Sequence, residues 1–128
     1  MLSIFFTDHP EAVVLRAKLA LHGGDQEAIK ARMEELSAKR RASQPLEMPS
    51  AGSTFKRPEG YFAGTLIEQC GLKGKHVGGA EVSCKHAGFV VNAGGATCAD
   101  VLALIKKVQD TVFTATGVTL EPEVKIIR

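Results

Sequence analysis

Between residues 12 and 21 a short apolar run passes into alternation, with Leu15, Ala17, Leu19 and Leu21 set against Arg16, Lys18 and Ala20. A period of two sends successive side chains to opposite faces of an extended chain, so a strand with one wet face is predicted here. Gly23-Gly24 ends it, and Asp25 can cap a helix beginning just after it. Ile29, Met33 and Leu36 then recur at helical spacing as far as Lys39-Arg40-Arg41, a charge cluster suited to the C-terminal end of a helix dipole. From residue 42 to residue 60, Pro45, Pro49, Pro58, Gly52 and Gly60 forbid a long regular element and leave room for a short strand over residues 53–56.

Helical spacing returns with Phe62, Leu66, Ile67 and Cys70, and Gly71 is placed to stop that helix. Gly78-Gly79 leads into a strand over residues 80–83, a turn occupies 84–88, and Phe89-Val90-Val91-Asn92 reads as a buried strand. The two strands predict a hairpin. Thr97-Cys98-Ala99-Asp100 fits the capping-box pattern, and Val101, Ile105, Val108 and Val112 form one apolar stripe behind it. After Gly117, residues 118–127 are predicted to close the chain as a strand that Pro122 confines to an edge or a bulge. Helices and strands without a regular βαβ rhythm predict an α+β domain, a small mixed or antiparallel sheet packed with about three helices.

Composition narrows the function classes. The 128 residues make one domain's worth of chain, near the usual size of roughly 100 to 150 residues. A formal charge of +2 is too small for a nucleic-acid footprint. No apolar run approaches the roughly 20 residues of a membrane span, and the opening MLSIFF meets Asp8 at once without a basic leader. The expectation is a cytoplasmic protein with neither a nucleic-acid nor a membrane partner. Cys70, Cys84 and Cys98 form no Cys-x-x-Cys pair, and His9, His22, His76 and His86 show no ligand spacing, so no metal site is predicted.

Three places carry candidate chemistry. Ser53, Lys56 and Arg57 sit in a glycine- and proline-punctuated loop, where exposed backbone N–H groups and a guanidinium fork can hold phosphate or carboxylate. A solvated loop with its cations in water fits the same residue types. Glu123 stands in the closing segment; buried, it would serve acid–base chemistry or charge stabilisation, and exposed it is an ordinary edge residue. His86 lies between Lys85 and a predicted buried strand in a turn crowded with polar groups.

Several segments in order carry a resemblance. They are Gln44-Pro45-Leu46, Pro49-Ser50-Ala51-Gly52-Ser53-Thr54-Phe55-Lys56-Arg57-Pro58, Leu66-Ile67-Glu68 and Gly71-Leu72-Lys73-Gly74. The series continues through Val77-Gly78-Gly79-Ala80-Glu81-Val82-Ser83, Lys85-His86-Ala87-Gly88-Phe89-Val90-Val91-Asn92 and Leu120-Glu121-Pro122-Glu123-Val124-Lys125-Ile126-Ile127. Together they resemble the C-terminal, substrate-binding part of the UDP-N-acetylenolpyruvoylglucosamine reductase family, also called UDP-N-acetylmuramate dehydrogenases, in its shorter type II form. The likeness is close over residues 40–127 and looser before them.

The resemblance implies an oxidoreductase of bacterial peptidoglycan precursor synthesis, and so of cell-wall biogenesis, cell shape and division. NADPH reduces FAD, and UDP-N-acetylglucosamine enolpyruvate becomes UDP-N-acetylmuramate. It implies that Ser53, the serine of the Gly-Ser-x-Phe motif, protonates the enol-like intermediate. By the same carry-over Glu123 helps stabilise or protonate that intermediate, while Arg41, Lys56, Arg57 and His86 bind substrate. Residues 1–24 then read as the boundary of a flavin domain, including its last strand, and residues 25–128 as the substrate-binding domain.

The family motif Tyr-Arg-x-Ser-x-Phe matches only by its tail, Ser3-Ile4-Phe5, which puts Met1 where the arginine belongs. The FAD site is therefore expected to be largely absent from this chain, supplied by a separate or missing half, and the chain alone to be inactive. Exposed apolar surface at Leu2, Ile4, Phe5 and Phe6 is a further expectation. A non-catalytic UDP-sugar binding module, or an inactive fragment, is the alternative.

Overall fold

In the computed structural model His9 and residues 12–127 are described; Leu2, Ser3, Ile4, Phe5 and Phe6, on which two expectations rest, lie outside them. The chain divides into two units, residues 1–32 and residues 33–128. In the first, the strand predicted over residues 12–21 is not formed, and Leu15 is 92% exposed, Leu19 78% and Leu21 84%. The alternation specifies a face for a sheet, but strand hydrogen bonds need a neighbouring strand, and the described part of this unit contains none.

Helix α1 (Gln26–Ser43) begins as predicted, with Asp25 Oδ1 accepting from the Ala28 N–H at 2.7 Å. None of its residues is buried. The stripe of Ile29, Met33 and Leu36 is exposed along its length, so its helical spacing is correct and its face is uncovered. Arg40 and Arg41 occupy the last turn.

The second unit holds β1 (Ser50–Ser53), α2 (Ala63–Gln69), β2 (His76–Val77), β3 (Ala80–Val82), β4 (Phe89–Asn92) and α3 (Cys98–Thr116). The strands form one sheet in the order β1-β4-β3-β2, antiparallel throughout. The α+β class and the β3–β4 hairpin are as predicted; the first strand lies three residues earlier than the sequence pattern put it, and β2 was not anticipated. Ala80, Val82 and Val90 from the sheet, Ile67 from α2, and Leu104, Ile105, Val108 and Val112 from α3 make the core. Leu104, beside the predicted stripe, is fully buried, whereas Val101 at its head is only partly so.

The α3 capping box is complete. The Asp100 N–H donates to Thr97 Oγ1 at 3.1 Å and the Thr97 N–H donates to Asp100 Oδ2 at 2.9 Å. Gly117 stops the helix at φ 72°, a left-handed conformation that glycine adopts without a Cβ penalty. Thr97→Ala should lower the unfolding free energy by about 1 kcal/mol, read as a shifted urea midpoint with an unchanged slope. A shift within error would mean that Asp100 alone holds the cap.

The closing segment differs from the strand expected over residues 118–127. It reduces to one antiparallel bridge, Phe55 opposite Pro122. Flanking bonds run from the Lys56 N–H to the Glu121 carbonyl at 2.8 Å and from the Glu123 N–H to the Thr54 carbonyl at 2.9 Å. Pro122 therefore occupies a non-hydrogen-bonded position, where its missing N–H leaves nothing unsatisfied. Leu120, fully buried, anchors the segment to the core.

Candidate functional site

The bridge between residues 55 and 122 sets one wall of an open cleft of about 410 Å³, whose chemically active lining is Ser53, Arg57, Lys85, His86, Glu68 and Glu123. Thr54 is the pin. Its N–H donates to the Gly88 carbonyl at 2.8 Å, its buried hydroxyl accepts from the Val90 N–H at 3.0 Å, and its carbonyl accepts from Glu123. Ser53 at the end of β1, Glu123 in the closing segment and the turn after β3 are thereby gathered around one residue. Gly52, at φ 85°, supplies the bend that precedes Ser53. The Ser53 hydroxyl donates to the Phe55 carbonyl at 3.3 Å, a long bond that a ligand acceptor can replace.

Arg57 is held in readiness. Its Nε donates to the Tyr61 carbonyl at 3.3 Å, and its guanidinium lies 4.0 Å from the centroid of the Phe62 ring. A carbonyl and a ring orient the guanidinium without neutralising it, so its charge stays available to an anion. Across the cleft the buried Ser83 hydroxyl accepts from the Lys85 N–H at 3.2 Å and the His86 N–H at 3.3 Å, fixing the turn that carries both side chains. His86 Nδ1 accepts from the Gly88 N–H at 3.1 Å, and the ring meets Phe89 edge-on with centroids 5.0 Å apart.

Lys85 and Glu68 also line the cleft; neither was among the candidate site residues, although both lie within the segments that carry the family resemblance and Lys85 adjoins His86. Lys85 Nζ lies 3.4 Å from the Glu47 carboxylate. The Glu47 carboxyl is held below its ordinary range, first by a bond from its own backbone N–H and then, against partial desolvation, by Lys85. Glu68 is engaged by Lys73 at 2.6 Å. Two other expected residues stand apart from this cleft: Lys56 is ion-paired with Glu121, and Arg41 is exposed in the last turn of α1. Glu123 is exposed rather than buried, which leaves it facing ligand or solvent. The arrangement can grip an anion between Arg57 and Lys85 and bring a hydroxyl proton to it.

Residues 44–127 match the family described as UDP-N-acetylenolpyruvoylglucosamine reductase, C-terminal domain. The chain belongs to this family. It is 62% identical over 115 residues to the UDP-N-acetylenolpyruvoylglucosamine reductase of Agathobacter rectalis, covering 90% of this chain and 37% of that protein. Against the same enzyme of Caldanaerobacter subterraneus subsp. tengcongensis it is 56% identical over 117 residues, 91% of this chain and 39% of that protein. The crystal structure of UDP-N-acetylenolpyruvylglucosamine reductase from Thermus caldophilus superposes with a TM-score of 0.73 at 38% identity, over 87% of this chain and 39% of that one. The chain thus spans less than two-fifths of the length of each of these relatives. As a reductase C-terminal domain it carries its Gly52-Ser53-Thr54-Phe55 motif on the cleft wall, Thr54 and Phe55 buried and Ser53 exposed.

Proposed function

We propose that this chain is the substrate-binding and proton-donating part of a reductase acting on the enolpyruvyl ether of UDP-N-acetylglucosamine in peptidoglycan precursor synthesis. The observation that carries this reading is the convergence of Ser53, Arg57, His86 and Glu123 on one cleft within a reductase C-terminal domain. Arg57 and Lys85 grip the diphosphate or the carboxylate, and His86 contacts the nucleotide side of the substrate. Arg41 and Lys56 would join only by reaching a more extended part of the ligand.

Hydride addition at the methylene carbon, conjugate to the carboxylate, breaks the C=C bond and moves its electrons into an enolate. Ser53 Oγ then gives its proton to the carbon bearing the ether oxygen, and the cations around the cleft stabilise the charge on both sides of that transfer. Glu123 assists as the second proton-handling group.

The hydride is the chemistry that FAD, reduced by NADPH, supplies when bound. The residues of this cleft do not by themselves make a site for that group. A flavin ring needs an apolar slot with donors aimed along its edge, and the cleft is an open surface of mixed lining whose Phe62 face is already covered by Arg57. We assign the flavin to the remaining three-fifths of a reductase-length protein, on the same or a separate chain. The unpaired alternation of residues 12–21 and the uncovered stripe of α1 support residues 1–24 as part of that flavin domain's boundary. No helix among the described residues is long and apolar enough to cross a membrane, and we place the reaction in the cytoplasm with its NADPH.

Calorimetric titration of the chain with UDP-N-acetylglucosamine enolpyruvate tests the reading. Saturable binding is expected, weakened roughly 10- to 100-fold in Arg57→Ala, the range for losing a charge-assisted hydrogen bond. A cooperatively folding chain whose wild type and Arg57→Ala forms bind with equal affinity would remove Arg57 from the site.

A further inference from the structure

His86 sits against two glycines, and a side chain at either would press on its ring. A Cβ on Gly64 would lie 3.2 Å from His86 Cε1, and a Cβ on Gly88 would lie 3.1 Å from the same atom and 3.2 Å from Nδ1. Neither glycine has a positive φ, so backbone conformation does not demand glycine at either position. Gly64 stands in the first turn of α2, where alanine fits the backbone and would lower the entropy of the unfolded chain. What both positions share is the imidazole. The Gly88 N–H donates to Nδ1, which makes Nδ1 the acceptor of the neutral ring and leaves the proton on Nε2. The edge of Phe89 closes another side.

We propose that Gly64 and Gly88 are positioning residues that hold His86 as a fixed Nε2–H donor directed into the cleft. Resting on the substrate reading above, the acceptor is an uncharged oxygen of the sugar nucleotide, a carbonyl or a hydroxyl, since Arg57 and Lys85 already serve the anionic groups. The price of the glycine in α2 is a looser unfolded chain, exchanged for a ring that does not swing away.

A long-range proton–nitrogen spectrum of the full chain, with His86 assigned by His86→Gln, reads the tautomer without any ligand. Wild type should show the Nε2–H form alone. Gly64→Ala should melt at or above the wild-type temperature yet show His86 as a mixture of tautomers, the bond from Gly88 having been displaced. In titrations with UDP-N-acetylglucosamine enolpyruvate, Gly64→Ala should weaken binding about tenfold, the loss of roughly one well-placed hydrogen bond. In the His86→Ala background, where there is no ring to displace, Gly64→Ala should change nothing further.

An Nδ1–H tautomer in wild type, unchanged His86 signals in Gly64→Ala, or equal effects of Gly64→Ala in both backgrounds would overturn the proposal. If the spectra behave as expected and wild type does not bind, the positioning stands and it is the substrate reading that fails.

Discussion

Ser53→Ala should cut turnover at least about 100-fold while leaving substrate bound. The test is a chimera in which residues 44–127 replace the matched region of the Agathobacter rectalis reductase, which shares 62% identity over 115 residues with this chain. A positioned general acid typically contributes about 10²- to 10⁴-fold in rate, so kcat should fall by that factor while substrate affinity changes little. The structure explains the separation. The Ser53 hydroxyl is exposed on the cleft wall, bonded only at 3.3 Å to the Phe55 carbonyl, so its loss removes a proton without unseating the backbone that Thr54 pins. Ser53→Cys, which restores a proton of lower pKa at nearly the same point, should recover part of the rate. A Ser53→Ala chimera turning over near the parental rate would assign the proton to Glu123 or to water.

Local chemistry was readable in the chain wherever it had a local cause. The α3 cap was legible because Thr97 and Asp100 satisfy each other within one turn, and the β3–β4 hairpin because Gly78-Gly79, a polar turn and a β-branched run come in order. Residues 12–21 misled for the converse reason. Alternation encodes a face, and a strand exists only where another strand supplies hydrogen-bond partners. At Pro122 the pattern was right about the edge and wrong about the length: the segment pairs for a single bridge, with the proline where no N–H is called for.

The site divides the same way. Ser53 and Glu123 lie far apart in the sequence and meet through the two backbone bonds beside Phe55 and Pro122, a long-range pairing that no spacing rule reveals. The family motifs supplied those names, and the fold sets both on the lining of one cleft. Lys85 carries no local sign of its place on the cleft, because a lysine in a turn is ordinarily solvated and its tie to Glu47 spans 38 positions. Lys56 shows the opposite error of proximity: next to Arg57 in sequence, it is turned away to Glu121.

Gly79→Ala should be the most damaging single methyl group in the fold. A Cβ there would stand 2.1 Å from the Gly94 carbonyl oxygen, 2.5 Å from the Ala96 nitrogen and 2.8 Å from the Ala96 Cα. All three are backbone atoms, so no rotamer change relieves the overlap, and the turn before β3 must separate from the loop that starts α3. That separation strains the bond from the Ala93 N–H to the Gly79 carbonyl at 2.9 Å. It also takes the Gly79 N–H from Asp100, whose carboxyl is held below its ordinary range chiefly by the Thr97 backbone and hydroxyl and, to a smaller extent, by Gly79.

Overpacking ordinarily costs about 1 to 3 kcal/mol; the backbone overlap puts the upper end of that range here, a large share of the roughly 5 to 15 kcal/mol that holds a typical domain folded. Gly23→Ala, whose Cβ meets nothing within 4 Å, is the control and should melt with the wild type. The deficit should also narrow in acid. A carboxyl whose folded pKa is depressed stabilises above its unfolded pKa, and that contribution fades as pH falls through the folded value, so the part that Gly79→Ala forfeits is one the wild type loses as well. A deficit that stayed constant down to the acid limit would assign the whole loss to the steric overlap and none to Asp100.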